Sequence, residues 1–229
     1  MKSDSIHDNN AMKYISLLEE YYGHVIWKPR LDPISELIFT ILTQHTSDKN
    51  AEKAYMLLVK SIDSWNDILD IPIDKLKSLI KSAGLFNQKS KRIIEAINRI
   101  KSHNNELNLS FLRDLNLSDA RKWLTGIPGI GPKTASVVLS FSFGMPAIPV
   151  DTHVYRVSKR LKLFDNKISA NHAHELLENL VIENKRYTFH VLFIKHGREI
   201  CKAIKPLCKT CPLASICPSK LAFTENLYK

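Results

Sequence analysis

No apolar run in this chain approaches the ~18 residues of a membrane-spanning helix, so no helical membrane span is expected. The start, Met1 to Asn10, is polar and carries Asp4 and Asp8, which does not read as a signal peptide. There is no fixed-period repeat, no low-complexity tract and no series of alternating strands, so solenoids, disordered tails and β-sandwiches are set aside. Cysteine is missing until residue 201. Acidic residues are few beside basic ones, 23 against 33, which leaves a net charge of +10 and a pI near 9.4. A surplus of that size favours polyanions, DNA or RNA first. The expectation is an intracellular, cytoplasmic protein, nucleoid-associated if the source is prokaryotic, whose thiols are not paired as disulfides. At 229 residues it can build one large core or two small ones.

Glycine is scarce too. Of only 7, three stand at Gly126, Gly129 and Gly131. Glycine serves where backbone turns sharply or comes close to a ligand. Ser118, followed by Asp119, is expected to cap a short helix through Leu124. Pro132 suits the first position of a second helix, where its missing N–H costs nothing. The stretch Leu124–Ala135 therefore reads as helix, glycine hairpin, helix, with free N–H groups facing outward to bind an anion such as phosphate. An ordinary αα-hairpin needs one glycine; three within six residues favour the phosphate reading.

Lys133 follows at once. A lysine in the first turn of a helix faces the positive end of the dipole, which disfavours the ammonium and favours the nucleophilic free amine. Contact with phosphate is the competing role. Asp151, in Val150-Asp151-Thr152-His153, supplies a carboxylate shortly downstream, and it also suits the N-cap of a following helix.

Gly126 to Ala135, together with Val150-Asp151-Thr152-His153, resembles the helix-hairpin-helix/Gly-Pro-Asp DNA glycosylases, in particular their endonuclease III branch. The resemblance runs from about Ile34 to Pro218. It implies that Lys133 attacks the sugar and that Asp151 assists. It also implies that the polar loop Thr43-Gln44-His45-Thr46-Ser47-Asp48 stands where the family carries a glutamine that fills the gap left by a flipped-out base. Gln44 is the best match; the loop is one residue longer than the family pattern, which makes His45 a competing assignment. A second inserting residue is implied at Leu85 in Ala83-Gly84-Leu85-Phe86, with Lys89, Lys91 and Arg92 expected to face phosphates. The bland reading there is a glycine-capped turn followed by a basic helix face.

The four cysteines are Cys201, Cys208, Cys211 and Cys217, separated by 6, 2 and 5 residues. Four thiolates in one short loop suit tetrahedral zinc or a 4Fe–4S cluster. Zinc ribbons use two separated Cys-x₂-Cys knuckles, and only one is present. The spacing matches the cluster loop of the endonuclease III branch, so the resemblance implies a 4Fe–4S cluster ahead of zinc, and zinc ahead of disulfides. Lys202 and Lys205, between the ligands, could then press on phosphate.

The expected fold is all-α in two lobes with the DNA cleft between them. One is a helical barrel over 30–144 ending in the hairpin; the other joins 1–29 with 145–229 around the cluster. The implied function is a monomeric base-excision DNA glycosylase with abasic-site lyase activity on damaged, by resemblance oxidised, pyrimidines in double-stranded DNA. A monofunctional mismatch or uracil glycosylase, and a non-catalytic DNA-binding or electron-transfer iron–sulfur protein, are the alternatives. Lys133 speaks against the first. The joint presence of Asp151, the glycine hairpin and the cysteine loop speaks against the second.

Overall fold

The computed structural model describes residues 4–224 as helices joined by turns, with no β-strand among them. Backbone contacts divide the chain into two units, one of residues 29–145 and one that joins the chain up to Lys28 with the chain from Pro146 onward. No helix among the described residues is long and apolar enough to cross a membrane.

The chain enters through α1 (Asp4–Tyr22), stopped by Gly23 at φ 88°. The 29–145 unit then holds α2 (Pro33–Thr43), α3 (Asp48–Val59), α4 (Ile73–Leu79), α5 (Phe86–Asn104), α6 (Leu117–Thr125) and α7 (Pro132–Phe143). Its centre is α2. Asp32 caps that helix by accepting from the N–H groups of Ile34 and Ser35, and Pro33 takes the first position. Leu37, Ile38, Ile41 and Leu42 are fully buried. The small face of α7, with Ala135, Ser136, Val138 and Leu139 buried, lets its backbone lie close against α2. Glu36 is buried within this apolar helix. Its carboxylate is held by Arg30, whose guanidinium also lies 4.7 Å from the ring centre of Phe141, and by the Thr40 hydroxyl. A buried carboxylate without such partners would be costly.

The second unit packs α1 with α8 (Thr152–Arg160), α9 (Ala170–Leu180), α10 (Arg186–Glu199) and the short α11 (Lys220–Thr224). Ala11, Ile15 and Leu18 of α1 meet Val154 and Val157 of α8 and Phe189 and Phe193 of α10, whose two rings sit 3.8 Å apart. The segment 201–219 contributes little apolar surface to this core; Leu213 is its one fully buried apolar side chain.

Candidate active site, DNA-facing loops and thiol pocket

The glycine hairpin lies between α6 and α7. Its entry differs from the sequence expectation at the cap. Asn116, not Ser118, is the N-cap of α6, because the Asn116 side chain accepts from the N–H of Asp119 and donates to its carboxylate. Gly126 ends α6 in ordinary helical backbone. Gly129 has φ +81°, and a Cβ there would come within 2.5 Å of Arg92 Nε. Gly131 is different: its backbone is extended and a Cβ would meet nothing within 4 Å. Among the described residues, neither the N–H of Gly129 nor that of Gly131 is taken by another backbone group. Lys133 is exposed at the second position of α7, beyond Pro132.

Asp151 lies in the other unit and is the N-cap of α8. Its Oδ1 accepts from the N–H groups of His153 (2.9 Å) and Val154 (2.7 Å). Both hydrogen bonds fall on one oxygen, and the carboxylate is half-buried.

Both loops singled out in the sequence are sharp turns at helix ends. Gln44 follows α2 with extended backbone, and its amide is engaged: Oε1 accepts from Arg92 Nη1 (2.6 Å), while Nε2 donates to Gly129 O (3.4 Å) and to Thr134 Oγ1 (3.3 Å). His45 is exposed, in left-handed backbone at φ 52°. Leu85 is left-handed too, at φ 46°, and 47% exposed just before α5. Lys89 corrects the sequence reading. It is no surface cation but fully buried, donating from Nζ to Leu42 O and Ala83 O, both at 2.8 Å. Desolvation, with Arg92 nearby, pulls its pKa down to about 8. Lys91 is exposed, and Arg92 is the partly buried clamp on Gln44.

Cys201, Cys208, Cys211 and Cys217 are free thiols around one cavity of about 30 Å³, bordered also by Val157, Leu161, Ile200 and Phe223. Among the described residues, no three His, Cys, Asp or Glu side chains gather closely enough to hold a single metal ion. Burial pushes the Cys208 and Cys217 thiols up and that of Cys211 up to about 11, which favours the protonated thiols. Residues that the sequence reading left without a role surround the pocket. Arg160 donates to Cys201 Sγ (3.3 Å) and to the carbonyls of Lys202 and Ala203, and it stacks on Phe223. Arg156 holds Cys201 O and Gly197 O. His196, its pKa depressed by burial to about 4, sets Nε2 3.6 Å from Cys211 Sγ. The available signal was the spacing of Arg156 and Arg160, one turn apart on α8. Lys202 and Lys205 are exposed on the loop between the first two cysteines, Lys205 at φ 50°.

An all-helical chain with this hairpin and a lysine opening the second helix is the architecture of a DNA-repair glycosylase. Residues 38–183 match the HhH-GPD superfamily base excision DNA repair protein family, and the chain belongs to that superfamily. Within it, the chain is similar to endonuclease III of Rickettsia prowazekii, 38% identical over 183 residues that span 79% of this chain and 81% of the relative. Similarity to endonuclease III of Haemophilus influenzae is 36% over 189 residues, 82% and 84% of the two chains. The solved structure of a trapped endonuclease III–DNA covalent intermediate, an estranged-adenine complex, superposes with a TM-score of 0.80 at 28% identity, covering 97% of this chain and 99% of the other.

Proposed function

We propose that this base-excision DNA glycosylase and abasic-site lyase removes oxidised pyrimidines from duplex DNA, with Lys133 as nucleophile and Asp151 as its carboxylate partner. The observation that carries the reading is the hairpin between α6 and α7. It presents free N–H groups at Gly129 and Gly131 and an exposed amine one residue into α7. Gly131 has no internal reason to be glycine, since its φ is ordinary and nothing lies where a side chain would go. A backbone phosphate passing close to it supplies that reason.

In the proposed reaction the damaged nucleotide leaves the stack, and residues of the 44–45 loop and Leu85 occupy the gap. The Lys133 amine forms a bond to C1′ as the bond to the base breaks, the pair of electrons leaving with the base. Loss of the amine proton and opening of the sugar ring give an imine. Removal of a C2′ proton then expels the 3′ phosphate and cuts the strand. The Asp151 carboxylate offsets the cationic sugar and takes part in the proton transfers. The covalent protein–DNA intermediate trapped in the endonuclease III relative supports an attacking side chain.

Cys201, Cys208, Cys211 and Cys217 would hold a 4Fe–4S cluster, which supplies four metal-bound thiolate links and so fixes a loop with almost no apolar core. Around it Arg160 and Arg156 hold the loop carbonyls, and Lys202 and Lys205 stand exposed toward phosphate.

Borohydride reduces only an imine to a permanent adduct. It should trap the wild type on lesion DNA, while Lys133→Gln binds that DNA but falls by roughly 10³-fold or more in trapping and cutting. Trapping of Lys133→Gln at the wild-type rate assigns the attack to another amine. A duplex panel with one defined lesion each identifies the base removed; preference for uracil or mismatched thymine over oxidised pyrimidines overturns the substrate class alone.

A further inference from the structure

We propose that His45, not Gln44, is the side chain that enters the duplex from the loop after α2, and that Gln44 is a fixed strut joining that loop to the glycine hairpin. The proposal rests on the reading of the 44–45 and 85 loops as inserting loops, and decides which residue of the first loop acts.

A residue that fills the space of an extruded base needs an exposed side chain with no internal engagement, on a stem rigid enough to push against a base stack. Gln44 fails the first condition. Its half-buried amide uses both ends at once, accepting from Arg92 and donating to Gly129 O and Thr134 Oγ1. Swinging it into DNA would break a 2.6 Å charge-assisted hydrogen bond and strip Arg92 of its acceptor. It would also release the contact with the hairpin that carries Lys133, at the step where that lysine must be in place. Arg92 in turn packs so closely under Gly129 that no Cβ fits there. Gln44, Arg92 and Gly129 thus form one interlocked unit.

His45 meets both conditions. It is exposed, and its imidazole makes no hydrogen bond or ion pair among the described residues. Its backbone is left-handed, a conformation that non-glycine residues adopt at a cost and that recurs at binding sites. Leu85, the partner wedge, has the same left-handed backbone and similar exposure, while Gln44 is extended. The stems of both tips share one anchor. The buried Lys89 ammonium binds Leu42 O, three residues before His45, and Ala83 O, two residues before Leu85. His45 and Leu85 are therefore matched tips on a common support. An imidazole adds what leucine lacks, a hydrogen-bonding edge able to meet the base left without its partner.

The test compares His45→Ala, Gln44→Ala, Leu85→Ala and His45→Gln on two substrates: a duplex with an oxidised pyrimidine, and a single strand with an abasic site, which needs no unstacking. For His45→Ala, the loss on the duplex should exceed the loss on the single strand by about tenfold, with the melting temperature held, and His45→Gln should recover most of it. Gln44→Ala should lose similarly on both substrates and melt lower, because the strut under the hairpin is gone. The proposal is overturned if Gln44→Ala is the duplex-selective variant, or if neither is. In the second case Leu85→Ala decides further: if it too is unselective, the inserting-loop reading falls with the proposal, and if it is selective, only the role given to His45 falls.

Discussion

The hairpin of residues 126–131 and the cysteine loop of 201–217 are both short, irregular segments with lysines exposed on or beside them, yet they are held in opposite ways. The hairpin is built into a core. Ile127 and Ile130 are buried on either side of Gly129, α7 lies on the buried α2, and Arg92 fills the space under the turn. The cysteine loop has a single fully buried apolar residue, Leu213, and is held from outside by Arg156, Arg160 and the hydroxyl of Ser219. A hairpin on a packed core needs no further ligand to keep its shape. A loop ringed by four half-buried thiols, with one buried apolar residue, has few core contacts of its own.

Substitutions separate the two cases. The largest effect is expected for Cys208→Ser, which removes one of the four proposed cluster ligands from a loop with little else. Iron content should fall below that of the wild type, and unfolding should shift by several °C or become non-cooperative, roughly 2–5 kcal/mol by analogy with other lost covalent staples. Stoichiometric zinc without iron in anaerobically purified wild type would reassign the centre. Gly129→Ala comes next. It forces a side chain into left-handed backbone and against Arg92, so a loss of about 1–3 kcal/mol in urea unfolding is expected, with the measured iron content of the preparation unaffected. An unchanged midpoint would mean that Arg92 moves aside freely. Gly131→Ala should do least to folding, within about 0.5 kcal/mol, because its backbone is ordinary and the space is open. Its effect should appear in DNA affinity, as a severalfold weaker Kd with a shallower salt dependence. Equal affinity for wild type and Gly131→Ala would remove the argument that a phosphate passes there.

Much of this organisation is legible in the chain itself. The buried α2, the hairpin and its Pro132 start, and the common placement of four cysteines follow from apolar periodicity, punctuation by glycine and proline, and spacing. Cap positions are less legible: Asn116 and Ser118 are both good caps two residues apart, and only the hydrogen bond to Asp119 chooses between them. Lys89 is the instructive case. Positions 89, 93, 96, 97 and 100 follow the core register of α5, and all five are buried. The register placed Lys89 inside, but its charge, beside Lys91 and Arg92, suggested a basic face. Charge misleads here because the two carbonyls that accept from it belong to loops 47 and 6 residues away, which periodicity cannot see. The supports of the thiol pocket were hidden for the same reason. Arg160 reaches carbonyls more than 40 residues away, and its spacing from Arg156 marks a shared helix face without naming those partners.

Lys89 also has a consequence for chemical regulation. This chain is rich in lysine, and most such side chains offer an amine to any acyl donor that diffuses past. Lys89 offers none, since its amine is sealed from solvent and both neighbouring carbonyls hold it. Acylation there would turn a donor of three hydrogens into a bulkier neutral amide inside a filled space. A cell that acetylates its lysines indiscriminately would thus mark the outside of this enzyme while the buried amine beneath the loops of residues 44–45 and 85 stays untouched, unless the 29–145 unit opens first.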